Sequence, residues 1–236
     1  MCKNELFDKI QELLNIELDE KKRNEILEYY HLIIETNKSF NLTRITKLED
    51  FLIKNVLDSL LLNEICTFSK GDPVVFDLGS GAGFPGIILK IVFPNIKLYI
   101  IETLNKRCEF LRKVANTLNL ENVYVIHGRA EIEAYRFADT ADYVVARAFS
   151  SLSVVLEFAF KYLKIGGCAV AMRSSNYKSD LESAKEAIGI LGYNLIKEQL
   201  TTLFKENALR YNALFQKTRD IKGYPRKFNE VKNNPL

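Results

Sequence analysis

Apolar positions recur along this chain with two different periods, and the change of period divides it. Leu6, Phe7, Ile10, Leu13 and Leu14 fall three and four apart, which predicts a short amphipathic helix over residues 4–15. Ile26, Leu27, Tyr29, Tyr30, Ile33 and Ile34 form a broader stripe and predict a second helix over 19–35, with Asp19 and Glu20 placed as caps or dipole partners. The polar, turn-prone stretch 37–43 breaks the pattern. A third helix follows from near Glu49 or Asp50 to Leu62, interrupted by the polar pair Asp58 and Ser59, which the pattern alone turns toward solvent.

From Gly71 onward, short apolar runs alternate with helical patterns. Strands are predicted at 74–78, 98–101, 123–127, 141–146 and 168–173, with helices through 87–92, 105–119, 151–163 and 178–191 between them. That alternation predicts a mostly parallel, doubly wound sheet with helices on both faces. Two final strands, 193–203 and 210–215, read as an antiparallel hairpin at one edge, completing seven. The expected organisation is a helical extension over 1–68, an α/β core over 69–218 and an irregular basic tail over 219–236.

Composition narrows the picture. With 236 residues and 47% apolar content the chain is long enough for one α/β domain with an appended subdomain. The N-terminus has no apolar signal region, and no run approaches the roughly 18 residues of a membrane span, so a cytoplasmic protein is expected. Cys2, Cys66, Cys108 and Cys168 are scattered and read as free thiols, and His31 and His127 are too few for a histidine metal cluster, so no metal is expected. The net charge of +3 is unevenly spread: residues 1–66 carry 9 Lys/Arg against 13 Asp/Glu, residues 205–236 carry 8 against 3. A basic C-terminal end can be a phosphate-contacting strip, although taken alone a solvated surface with no partner is the better reading of so modest a bias.

The chemistry concentrates in residues 74–86. An apolar strand runs into Asp77, Gly79, Gly81 and Gly83, then Phe84-Pro85-Gly86 opens a helix. The spacing is G-x-G-x-G. It lacks the G-x-G-x-x-G of dinucleotide folds and the Gly-Lys-Ser/Thr of a Walker loop. Glu102 ends the second strand about 20 residues beyond the loop, where an acid accepts hydrogen bonds from a ribose diol. Ligands in open α/β sheets lie beyond the carboxyl ends of the strands, so Asp77 to Gly83, Glu102, Arg129 to Glu131 and Arg147 are expected to share one crevice.

A glycine loop of this spacing with a strand-end acid resembles the class I, Rossmann-like S-adenosylmethionine-dependent methyltransferases. The wider set is more specific: Asn41-Leu42-Thr43, Leu57-Asp58-Ser59-Leu60, Asp77 to Gly86, Lys106-Arg107 with Phe110-Leu111, Arg129-Ala130-Glu131, Arg147-Ala148 and Tyr224-Pro225-Arg226-Lys227. In this order, over nearly the whole chain, they resemble the bacterial 16S ribosomal RNA guanine-N7 methyltransferase family, also called glucose-inhibited division protein B. The chain departs from that pattern at Asn55, where a histidine is common, at Arg173-Ser174, where Lys-Gly is common, and at Phe228-Asn229, where a glycine is expected.

The resemblance implies S-adenosyl-L-methionine as cofactor, held by Asp77, Gly79, Gly81, Gly83, Phe84, Glu102, Ala130, Glu131 and Arg147. It implies a guanosine of 16S rRNA, free or in the small ribosomal subunit, as substrate; a monomer is expected. Arg129 and Arg147 are the candidate catalytic residues, orienting the nucleotide or the cofactor's surroundings. Lys106, Arg107, Arg210, Arg226 and Lys227 are the candidate RNA contacts. Two rival functions fit the same fold: methylation of a small molecule or protein, and an RNA-binding or ribosome-assembly module without turnover.

Overall fold

The parallel strands are apolar on both sides because helices cover both faces of the sheet. The computed structural model describes residues 2–236. Seven strands form one sheet: β1 (Val74–Leu78), β2 (Lys97–Glu102), β3 (Val123–His127), β4 (Ala141–Arg147), β5 (Leu163–Arg173), β6 (Tyr193–Leu203) and β7 (Ala208–Lys217). Their order is β3-β2-β1-β4-β5-β7-β6. β1 to β5 run parallel, and β7 pairs antiparallel with both β5 and β6. The order reverses between β1 and β4, which opens a crevice at their carboxyl ends. The connections are α5 (Gly86–Val92), α6 (Asn105–Thr117), α7 (Ala130–Glu133), α8 (Leu152–Phe160), α9 (Tyr177–Ser183) and α10 (Lys185–Leu191).

Two apolar clusters sandwich the sheet. On one face Ile87, Ile88, Phe110 and Leu111 of α5 and α6 share a core with Leu6, Phe7, Ile26, Tyr29 and Phe51. Those last five residues come from the N-terminal helices α1 (Lys3–Leu14), α2 (Glu20–Asn37) and α3 (Leu48–Phe51). The N-terminal extension therefore has no core of its own; it completes one side of the sheet. On the opposite face α8 packs with α7, α10 and the inner residues of β1, β4 and β5. There Phe76 stacks on Tyr99 and packs tilted against Tyr162, each with ring centroids 4.7 Å away.

Several predicted elements change length. The third helix is composite: α3 passes into a π-helical stretch, Leu52–Leu57, then α4 (Asp58–Leu60) and a 3₁₀ turn, Leu61–Glu64. Asp58 and Ser59 are buried, not solvent-facing: β4 and β7 bring arginine partners against Asp58, and Ser59 is carried inward on the same turn. The expected helix over 151–163 stops at Phe160, since Leu163 already pairs with Ala141 and Tyr162 donates its hydroxyl to Ala130 O at 2.8 Å. The helix over 178–191 breaks at Ala184. The tail is not irregular throughout: it contains α11 (Phe228–Asn233), with Val231 buried.

Phe76 sits where both the sheet and the aromatic cluster converge, and its side chain is fully buried. Phe76→Ala is expected to lower unfolding stability by about 3–5 kcal/mol, read from urea denaturation with an unchanged slope.

Candidate active site

β1 ends in a buried carboxylate. Asp77 is inaccessible to solvent, and its Oδ2 accepts from Ser80 Oγ at 2.6 Å and from the Gly86 N–H at 2.8 Å. One oxygen thus clasps both ends of the glycine loop. The other oxygen, Oδ1, has no partner among the described residues. Burial pushes the Asp77 pKa up to about 6, against the opposing hydrogen bonds from Ser80 and Gly86.

The loop needs its glycines for space as well as for backbone conformation. Gly79 has φ +66°, and a Cβ there would run into the ring of Phe149. Gly83 has φ +105°, and a Cβ there would strike the Tyr29 hydroxyl. That hydroxyl donates to Ala82 O, so α2 props the loop from below. Tyr29 is buried and carries the aromatic contacts onward to Phe51, Phe84 and Phe110. Phe84, expected to touch the cofactor, is 4% exposed and belongs to this cluster, with Arg147 over its ring at 4.9 Å. It packs inward because the Phe84–Pro85 turn leads straight into α5 against the core.

Glu102 does arrive at the loop, and its first task there is structural. Oε1 accepts from the N–H groups of Thr103 and Leu104 at 2.8 and 3.0 Å, and Oε2 accepts from Gly81 N–H at 3.0 Å. Arg107 stands 3.7 Å from Oε2. Each carboxylate oxygen has about two acceptor sites, so Oε2 keeps capacity for a ligand hydroxyl.

Two cavities open beyond the strand ends, where the sequence pattern predicts a single crevice. The first, about 530 Å³, is lined by Gly79, Ile101 and Thr103 on the β1–β2 side and by Arg129, Ala130 and Glu131 at the end of β3. Phe149, Val154 and Phe158 wall its other side. Its size and largely apolar walls, with a few polar groups, are those of a small-molecule site. Arg129 Nε pairs with Glu131 Oε1 at 2.6 Å.

The second cavity, about 480 Å³, holds Arg147 with Lys54, Asn55, Asp58, Arg173 and Arg210. Arg147 donates to Lys54 O at 3.0 Å, Asp58 Oδ2 at 3.2 Å and Asn55 Oδ1 at 2.9 Å. Arg210 Nε reaches Asp58 Oδ1 at 2.7 Å. Arg147 thus stays over the Phe84 ring at the end of the glycine loop but faces the second cavity, not the first where the cofactor contacts were expected. Arg173 gives Nη1 to Ser150 O at 2.6 Å, while among the described residues Nη2 has no partner and Nε only a 3.5 Å approach to Asp180. The turn at residues 148–150 separates the two cavities, and Ala148 within it has φ +52°, a strained value for a residue with a side chain.

The expected RNA contacts divide. Lys106 and Lys227 are exposed, Arg107 is half-buried beside Glu102, and Arg210 faces the second cavity. Arg226 is corrected: it donates Nε and Nη2 to the two oxygens of Glu157 at 2.8 and 2.7 Å, and its own N–H reaches the same carboxylate. A fully buried carboxylate requires such a partner, so this guanidinium is committed inside the protein. The residues that the sequence pattern misses are Tyr29, Phe149 and Glu157. Glu157 alone carried a signal, as the one acid in the apolar helix α8.

The family model for rRNA small subunit methyltransferase G matches residues 22–207. Ribosomal RNA small subunit methyltransferase G of Acholeplasma laidlawii is 40% identical over 227 residues, covering 96% of this chain and 98% of that protein. The chain belongs to the rRNA small subunit methyltransferase G family. The protein of the same name from Alkaliphilus metalliredigens is 35% identical, covering 98% of this chain and 97% of its own length. Among solved structures, M. jannaschii TYW2 in complex with AdoMet has a TM-score of 0.52 at 20% identity, covering 68% of this chain and 76% of that one. Precorrin-6y C5,15-methyltransferase from Geobacter metallireducens has 0.51 at 18%, covering 77% and 95%. These structures share the fold of the family member described here.

Asp77 makes stability depend on pH in a definite direction. Its pKa is raised from 3.8 in an open chain to about 6 when folded, so the folded state holds more protons between those values and loses stability as pH rises through that window. Ionisation costs the folded state on the order of 2–3 kcal/mol. Asp77→Asn keeps an acceptor for Ser80 and Gly86 and is expected to flatten this part of the profile, measured by urea denaturation from pH 4 to 7.

Proposed function

We propose that this family member is an S-adenosylmethionine-dependent methyltransferase acting on N7 of a guanosine in 16S rRNA. The observation that carries the reading is the pair of cavities meeting at the 148–150 turn. One is the less open and mostly apolar, beside the glycine loop. The other presents four cationic side chains, Lys54, Arg147, Arg173 and Arg210, against the acids Asp58 and Asp180. An adenosine-containing cofactor suits the first and a nucleotide with its phosphates suits the second.

The residues fit that cofactor. Apolar walls suit a purine, the Oε2 of Glu102 retains an acceptor site for a ribose hydroxyl, and the buried Asp77 serves the site by fixing the glycine loop through Ser80 and Gly86. Gly81, with open space where a Cβ would stand, leaves the main chain open to close approach, and Gly79 lines the cavity beside it. Ala130 and Glu131 line the far side. Bound S-adenosylmethionine supplies an electrophilic methyl group. Guanine N7 already carries a lone pair and needs no deprotonation, so the side chains have to position and stabilise rather than transfer protons.

Arg147 is a positioning residue in this scheme. Its guanidinium ties the composite helix to the end of β4 and, with Arg210, keeps Asp58 at the wall of the nucleotide cavity. Arg129 orders the cofactor side through Glu131. Lys106, Arg107, Arg210 and Lys227 remain the RNA contacts, where a cation on a phosphate strengthens binding without reading sequence. The protein acts as a monomer in the cytoplasm, with 16S rRNA or the small subunit as its macromolecular partner; among the described residues no helix is long and apolar enough to cross a membrane.

The test is transfer from isotopically labelled S-adenosylmethionine to small-subunit rRNA and to intact subunits from a strain lacking this gene, followed by nucleoside mass spectrometry. Label is expected in 7-methylguanosine; label in another product, or none in RNA, overturns the assignment. Arg147→Ala is expected to lower kcat by about a hundredfold while leaving cofactor affinity intact, since its donors face the composite helix.

A further inference from the structure

The first cavity has a wall that none of the sheet elements provides. Phe228, Val231, Lys232 and Pro235 line it, and all four belong to the last nine residues of the chain. This segment is pinned from several sides. Tyr135 donates its hydroxyl to Pro225 O at 3.0 Å, and Val231 is 1% exposed within the apolar cluster of that face. Arg226 binds the buried Glu157 on α8 and gives Nη1 to Asn234 O at 3.1 Å, so one guanidinium fixes the segment before α11 and again just after it. Glu157 lies on the same helix as Val154 and Phe158, which wall the same cavity.

At the mouth, Phe228 lies under the guanidinium of Arg129, 4.1 Å from ring centroid to carbon, while Arg129 also holds Glu131. Both side chains are partly exposed there, and their stack joins the tail to the end of β3. A purine in this cavity would meet an aromatic ring and a guanidinium plane, the two surfaces on which bases stack.

We propose that the C-terminal segment is a strap completing the cofactor site, with the Phe228–Arg129 stack as its latch over the purine of the bound cofactor. The inference rests on the cofactor reading above. It makes Phe228 a determinant of cofactor affinity that lies outside the α/β core. It also makes Arg129 a positioning residue of the cofactor side, acting through the strap and Glu131.

Calorimetric titration of S-adenosylmethionine and of S-adenosylhomocysteine into the full-length protein and its Phe228→Ala and Phe228→Tyr variants tests this. Phe228→Ala is expected to weaken both ligands and raise the cofactor KM by about tenfold with kcat at saturation unchanged, and Phe228→Tyr to restore wild-type affinity. Hydrogen exchange on the wild-type protein should show amides of residues 228–233 slowed by S-adenosylmethionine. A role confined to holding the tail in place would move neither readout. Wild-type binding with Phe228→Ala equally tight, or with no protection of 228–233, overturns the strap alone. Failure of the wild-type protein to bind either ligand removes the cofactor reading itself.

Discussion

A single buried oxygen organises the functional end of this molecule. Asp77 Oδ2 takes the Ser80 hydroxyl and the Gly86 N–H together, so the glycine loop leaves β1 and enters α5 around one fixed point. The loop lies where the strand order reverses, the place in such sheets where a crevice must open. Without that clasp a run rich in glycine would have a large conformational entropy to lose on folding. Tyr29 adds the second constraint from beneath, and its origin in α2 explains why the N-terminal helices share a core with the sheet instead of standing apart.

The same device recurs around the two cavities. Glu102 gathers the N–H groups of Gly81, Thr103 and Leu104; Asp58 gathers Arg147 and Arg210; Glu157 gathers Arg226. Each of these acids is buried, and each partner set joins segments remote in sequence. A buried pair adds little net stability over a well-packed apolar substitute, yet losing one partner costs about 3–5 kcal/mol because the remaining charge is stranded. Such pairs suit precise placement. Here they fix the glycine loop, the composite helix and the tail around the cavities, and the arginine-rich side remains cationic enough to receive a phosphate backbone.

Much of the fold was legible in the chain as written. Strands such as Val74–Leu78 and Val123–His127 follow from runs of apolar, β-branched residues between turn signals, and α2 follows from a stripe of period 3.6 beginning at Asp19, whose carboxylate caps Lys22 N–H at 2.8 Å. These are local patterns with local causes. The limits of α8 and of the third helix were not legible, because the first is ended by strand pairing at Leu163 and the second is reshaped where β4 and β7 deliver arginines to Asp58.

The site divides in the same way. G-x-G-x-G spacing, the acid at Glu102 and the Arg129-Ala130-Glu131 run are contiguous or fixed at strand ends, so sequence alone determined that a loop, an acid and a cation would stand at one edge of a parallel sheet. Which way each side chain then turned depended on partners many residues away. Arg147 turns to Lys54, Asn55 and Asp58, Arg226 to Glu157, and Phe84 into the cluster around Tyr29. A buried charge takes whatever counter-charge the packed chain brings within reach, and that distance exists only once the helices have closed on the sheet. Tertiary structure therefore decided that there are two cavities rather than one, and that the last residues of the chain form a wall of the first.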